Sequence, residues 1–134
     1  MQNNPIFLLE DDLEMSRMYE RAFHLAGHEV VLARDGAEAV KMLNEVPATP
    51  KAIILDIMVP KINGLELLHG LRDDPRFKET PIAVLTNSFY KDDADRFLAA
   101  GADIYLVKIE HQIKEVVEKI EMLIKTRHAD AVKV

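Results

Sequence analysis

With 134 residues, 49% of them hydrophobic and 30% charged, the chain has material for one core and no room for a second domain, so residues 1–134 read as a single unit. A formal net charge of −6 without a basic cluster argues against direct binding to nucleic acid, whose phosphates demand a positive footprint. There is no cysteine, which removes disulfides and thiolate chemistry and suits a cytoplasmic location; residues 1–12 have neither the basic start nor the apolar length of a signal peptide or membrane anchor.

The first apolar run, Ile6-Phe7-Leu8-Leu9, lacks polar alternation, the pattern of a strand buried on both faces, and it ends in Glu10-Asp11-Asp12. Met15, Met18, Tyr19, Ala22, Phe23 and Ala26 follow at the spacing of an amphipathic helix that Gly27 is placed to end, and this stripe reads as core. Residues 29–33 give a second strand closed by Asp35-Gly36; Ala39, Val40 and Leu43 then mark a short helix stopped by Pro47 and Pro50. Asp35 shows no obvious chemistry. Ala52-Ile53-Ile54-Leu55 is the third strand and ends in Asp56. Pro60 and Asn63-Gly64 break the chain before Leu65, Leu68 and Leu71 resume helical spacing, so Asp56 reads as a residue at a strand's end and not as a simple helix cap. Beyond a polar loop over residues 73–81, Ile82-Ala83-Val84-Leu85 ends in Thr86, and Ala94, Phe97 and Leu98 suggest a helix running to Gly101. Tyr105-Leu106-Val107 ends in Lys108, and a last helix carries Ile113, Val116, Val117, Ile120, Leu123 and Ile124 on one face. The core is expected over about 6–127, with 128–134 a tail that frays.

Five strands alternating with five helices predict a parallel sheet with helices on both faces and right-handed crossovers. Parallel packing would bring the polar ends of four strands, Glu10-Asp11, Asp56, Thr86 and Lys108, to one edge, where ligands bind in open α/β sheets. The fifth strand, ending at Arg34-Asp35-Gly36, adds nothing comparable. Three carboxylates together repel one another, and hard oxygen ligands without cysteine or a histidine cluster favour Mg2+ as the counter-charge. The five histidines are scattered and read as surface. Asp56 is then a candidate nucleophile toward a phosphoryl group, bridged to it by the metal. Lys108 would supply a point charge and Thr86 a hydroxyl donor.

The stretches LLEDD, IILDIMVPKINGLELL, AVLTNS and GADIYLVK resemble the signature segments of bacterial response-regulator receiver domains, from Ile6 to about Arg127. The resemblance implies a flavodoxin-like, doubly wound five-stranded sheet of order 2-1-3-4-5, phosphorylated on aspartate by a partner histidine kinase or histidine phosphotransfer protein. It implies that Glu10 and Asp11 are the acidic pair, Asp56 the phosphoacceptor, Thr86 the switch hydroxyl, Tyr105 the switch aromatic and Lys108 the site lysine. The backbone carbonyl of Met58 would also ligate Mg2+, and Asp12 falls outside the pair as a helix cap. A downstream protein would read the face of the last strand and last helices, with Ile104 beside Tyr105, on a monomer or weak dimer. The chain would be a signalling switch that catalyses only its own phosphorylation and dephosphorylation. One departure stands out: receiver domains usually carry a cis proline after the lysine, and here Ile109 takes that place, for which a trans peptide is expected. An inactive pseudo-receiver that serves as an interaction module is the alternative this departure raises. A flavodoxin-type redox carrier would need a phosphate cradle where the acidic Glu10-Asp11-Asp12 stands, and an aspartyl phosphatase a second acid where Met58 stands.

Overall fold

The computed structural model describes residues 4–46, 48–88 and 90–133, with side chains described as far as Arg127. Five strands, β1 (Ile6–Leu9), β2 (Val30–Ala33), β3 (Ala52–Leu55), β4 (Ile82–Thr86) and β5 (Ile104–Val107), pair in parallel in the order β2-β1-β3-β4-β5. Five helices alternate with them: α1 (Leu13–Leu25), α2 (Gly36–Glu45), α3 (Gly64–Asp73), α4 (Lys91–Ala99) and α5 (Ile113–Lys133). The fold class and strand order are those expected.

β1 and β3 are buried throughout because both faces of the sheet are covered. Alternate side chains feed two cores: Phe7, Leu9, Ile53, Leu55 and Val84 on the face that carries α2, α3 and α4, and Ile6, Leu8, Ile54, Ala83 and Leu85 on the face of α1 and α5. Tyr19 and Phe23 of α1 and Val116 and Ile120 of α5 fill the second core, whereas Met18, counted with that stripe, is exposed. Phe77, in the loop expected to be merely polar, is buried under the first core. Among the described residues no helix is long and apolar enough to cross a membrane.

Local chemistry sets the helix starts. Asp12 caps α1 by accepting from Met15 N at 2.9 Å, Asp35 caps α2 by accepting from Glu38 N at 2.8 Å, and Asn63 caps α3 through Leu65 N and Glu66 N. Asp35 therefore has a structural task. Pro47, named as a helix stop, lies outside the described residues, and α2 ends at Glu45. α5 runs to Lys133, so residues 128–133 continue the helix in place of the frayed tail; Val134 lies outside the described residues. A one-turn 3-10 helix, Lys108–Glu110, joins β5 to α5, and the Lys108-Ile109 peptide is trans, as no cis bond occurs among the described residues.

Candidate functional site

Hydrogen bonds that continue the sheet beyond its strands carry the two buried acids to its C-terminal edge: Glu10 N donates to Ala33 O at 3.0 Å and Asp56 N to Leu9 O at 3.1 Å. Their carboxylates form a group with Asp11 in which one oxygen from each lies within 4.8 Å of the others. Glu10 is 1% exposed and Asp56 5%, while Asp11 faces solvent. The Lys108 ammonium, held at the end of β5, sits between the buried pair, 2.6 Å from Asp56 Oδ2 and 2.5 Å from Glu10 Oε1. Ile109 therefore does not spoil the lysine's aim: its trans peptide, set in a 3-10 turn, still delivers the ammonium to both acids.

Three carboxylates against one ammonium leave a formal excess of two negative charges. Burial pushes the Glu10 carboxyl above the usual range, and contact with Lys108 pulls it only part of the way back. Burial would lower Lys108, yet its hydrogen bond to Asp56 and its ion pair with Glu10 win and hold it above the ordinary lysine value. The remaining oxygens are oriented by backbone: Met58 N donates to Asp56 Oδ1 at 2.9 Å and Asp12 N to Glu10 Oε2 at 3.1 Å. Glu10 Oε1 is buried and meets the ammonium as an ion pair without hydrogen-bond alignment.

The loop that follows Asp56 is fixed from α2. Gly36 N donates to Pro60 O at 3.0 Å, and a Cβ on Gly36 would fall 2.1 Å from Ile62 Cβ and 2.7 Å from Lys61 O. Only glycine permits that approach. Lys61 sits at φ 64°, an uncommon conformation for a residue with a side chain, at the corner of the same loop. Thus the β2 end, which offered no chemistry from sequence, braces the loop that carries Asp56.

Thr86 and Tyr105 form a second set. Thr86 is fully buried at the end of β4, two residues beyond Val84, which pairs with Leu55, so it stands at the same edge as Asp56. Its hydroxyl accepts from Ser88 N at 3.4 Å, and the Tyr105 hydroxyl donates to Ser88 O at 2.7 Å. The Tyr105 ring lies 6.4 Å from that of Phe97 on α4, tilted by 43°. Among the described residues no hydrogen bond joins this set to the acids and Lys108. Ser88 escaped the sequence reading: a lone serine two places past a strand carries no signal that sets it apart from a loop residue. Histidines were misjudged in part, since His28 is 14% exposed and paired with Glu121 at 2.8 Å.

An all-parallel flavodoxin-like sheet with an acidic group and a lysine gathered at its C-terminal edge is the construction of a receiver. Residues 6–121 match the response regulator receiver domain, and the chain belongs to that family, the signalling modules of two-component systems. It is 36% identical over 126 residues to the transcriptional regulatory protein PrrA of Mycobacterium leprae, covering 94% of this chain and 52% of that protein. The chain thus spans about half the length of that curated relative. Among solved structures it is similar to the phosphorylated cyanobacterial phytochrome response regulator RcpA (32% identity, TM-score 0.80, 89% of this chain and 91% of that one). It is likewise similar to the Mn2+-bound form of response regulator Rcp1 (29% identity, TM-score 0.78, 88% and 91%).

Proposed function

We propose that this chain is the phosphoacceptor of a two-component relay, in which Asp56 takes a phosphoryl group from the histidine of a kinase or histidine phosphotransfer protein. The observation that carries the reading is the Lys108 ammonium held 2.6 Å from Asp56 and 2.5 Å from Glu10, inside a carboxylate group that is still short of positive charge. An Asp56 carboxylate oxygen forms the bond to phosphorus as the phosphorus–nitrogen bond breaks, the leaving imidazole nitrogen keeping the electron pair and later taking a proton. Lys108 follows the charge onto the phosphoryl oxygens, and Met58 N holds the other Asp56 oxygen so that the carboxylate keeps its orientation.

The donor set fits a hard divalent cation. Three carboxylates, one of them exposed and one with a buried oxygen lacking an aligned donor, suit Mg2+ better than a softer ion. Glu10, Asp11 and Asp56, with the Met58 backbone carbonyl, would hold Mg2+, which when bound supplies charge neutralisation for the phosphoryl group. Mn2+ in the neighbour Rcp1 and phosphorylation of the neighbour RcpA support both halves of the reading. Thr86 would then donate to a phosphoryl oxygen, Tyr105 would move inward with it, and a partner protein in the cytoplasm would read the face built by β5 and the last helices. The chain acts as a switch, monomeric or weakly dimeric, with no chemistry beyond its own phosphorylation and hydrolysis and no direct contact with nucleic acid.

Acetyl phosphate with Mg2+ should yield a phosphoryl adduct visible by intact mass and absent in Asp56→Asn; an adduct of equal yield in that variant would refute the assignment. In a Mg2+ titration Asp11→Ala should bind most weakly of the single variants, and unchanged affinity there would remove Asp11 from the ligand set.

A further inference from the structure

Between α2 and α3, on the same face of the sheet, lies a cleft of about 380 Å3, within the size range of small-molecule sites. Val40 and Leu43 line it from α2 and Leu67 and Leu71 from α3, with Ile62 and Phe77 completing the apolar surface. Leu43, Leu71 and Phe77 belong to the buried core beneath these helices, so the cleft reaches down to the core itself, while Val40 is 42% exposed.

Two residues shape this space. Gly70 sits in the interior of α3, where glycine weakens a helix, yet neither a positive φ nor crowding calls for it: a Cβ there would meet no atom within 4 Å. Because Gly70 lines the cleft, a larger side chain at that position would occupy the opening. Arg76 sets the width at the other end. It donates from Nη2 to Asp74 Oδ2 at 2.7 Å and to Asn44 Oδ1 at 3.2 Å, and its guanidinium lies over the Phe77 ring, 4.9 Å from the centre. The exit of α3 is thereby tied to the last turn of α2.

Charge selects the occupant. Glu66, Asp74 and Arg76 are the charged residues of the lining, and together they carry one formal negative charge. Arg76 is spent on Asp74, which leaves no free cation to receive an anion. Glu66 is exposed on α3 and, among the described residues, has no ion-pair partner.

We propose that the α2–α3 cleft is a binding site for a small amphipathic cation, an organic amine whose apolar body lies against Leu43, Leu67, Leu71 and Phe77 and whose ammonium meets Glu66. The site is separate from the acidic edge and does not depend on the phosphoacceptor reading. It has a route to that edge in Ile62, which lines the cleft, packs on Gly36 and belongs to the loop that follows Asp56. An occupant pressing on Ile62 is therefore felt over residues 57–62.

The test is an amide and methyl chemical-shift titration of the full chain with tryptamine, indole and indole-3-acetate, probes that share a ring system and differ in charge. Tryptamine should give saturable shifts at Val40, Leu43, Leu67 and Leu71 and over residues 57–62, and should bind at least threefold more tightly than indole, with indole-3-acetate weakest. Glu66→Gln should weaken tryptamine at least threefold and leave indole unchanged. Gly70→Leu, which fills the cleft from α3, should abolish binding of both. Val40→Trp fills it from α2 and should do the same, which covers the case of a Gly70→Leu chain that folds poorly. Gly70→Ala should raise the melting temperature; a lower one would mean that packing requires the glycine and would overturn its role in keeping the cleft open. Shifts that fail to saturate, or that survive both filling variants, overturn the site. Indole-3-acetate binding as tightly as tryptamine, or tryptamine binding unchanged in Glu66→Gln, overturns the choice of a cation.

Discussion

Charge is concentrated at both edges of this sheet, and the two clusters are built on opposite terms. At the C-terminal edge Glu10, Asp11 and Asp56 share one ammonium, and an oxygen of Glu10 lacks an aligned donor. At the N-terminal edge the single carboxylate of Asp103 accepts from Arg72, from Arg127 at 2.9 Å and from Ile82 N at 2.8 Å. Arg72 reaches further, to the carbonyls of Gly101, Phe77, Lys78 and Thr80. The bases record the difference. Burial lowers Arg72, opposed by Asp103 and aided by the nearby Arg127, so its value ends below the ordinary one; Lys108, buried more deeply still, is lifted by an excess of acid. One edge is a finished clamp among α3, β4, β5 and α5. The other keeps an excess of negative charge, the feature on which the Mg2+ proposal rests.

Breaking the clamp should produce the largest effect. Arg72→Met strands Asp103 and several loop carbonyls, and should destabilise the fold by about 3–5 kcal/mol in urea unfolding, as loss of one partner of a buried ion pair does. A loss of under about 1 kcal/mol would mean that Arg127 alone can hold Asp103.

Next come two isosteric neutralisations that should act with opposite signs. Asp103→Asn should lower stability by about 1.5–3 kcal/mol, because it removes charged hydrogen bonds to two guanidiniums. Glu10→Gln should raise stability in chelator by on the order of 1 kcal/mol, since the fold disfavours the ionised form of that carboxyl. The gain should fade as pH falls through the raised Glu10 value, where the native carboxyl takes its own proton. Equal signs for the two substitutions would erase the contrast between the edges.

The smallest effect concerns Lys108. Its value is raised on folding, so its contribution is fully present below the ordinary lysine pKa and is lost as pH rises through the folded one. In chelator the melting temperature of the wild type should therefore fall in the alkaline range more steeply than that of Lys108→Met. Parallel profiles would show that the ammonium adds nothing to stability.

How much of this was legible in the sequence depends on the range of the interaction involved. Short apolar runs, the cap at Asp12, the break at Asn63-Gly64 and the spacing of Leu65, Leu68 and Leu71 are local signals, and they determined the strands, the helices and hence a parallel sheet. Parallel crossovers then bring every strand's C-terminal end to one edge, so Glu10, Asp11, Asp56, Thr86 and Lys108 could be placed together from their positions alone. The tertiary structure decided what those residues touch. Lys108 lies 52 positions from Asp56, and that it bridges Asp56 to Glu10 follows from strand order and the turn at Ile109, not from any motif around the lysine. The Tyr105 hydroxyl reaches the backbone carbonyl of Ser88 across 17 positions and the Arg72 guanidinium reaches Asp103 across 31, and in sequence neither Ser88 nor Arg72 differs from any solvated polar residue. Gly36 seemed to end a strand without further use, and its purpose appeared only when Ile62 and Lys61 packed onto it. A hydrophobic period survives in a single dimension because each residue repeats the same choice between core and solvent. A hydrogen bond between distant side chains depends on distances of a few tenths of an ångström, which only the packed sheet and its loops set.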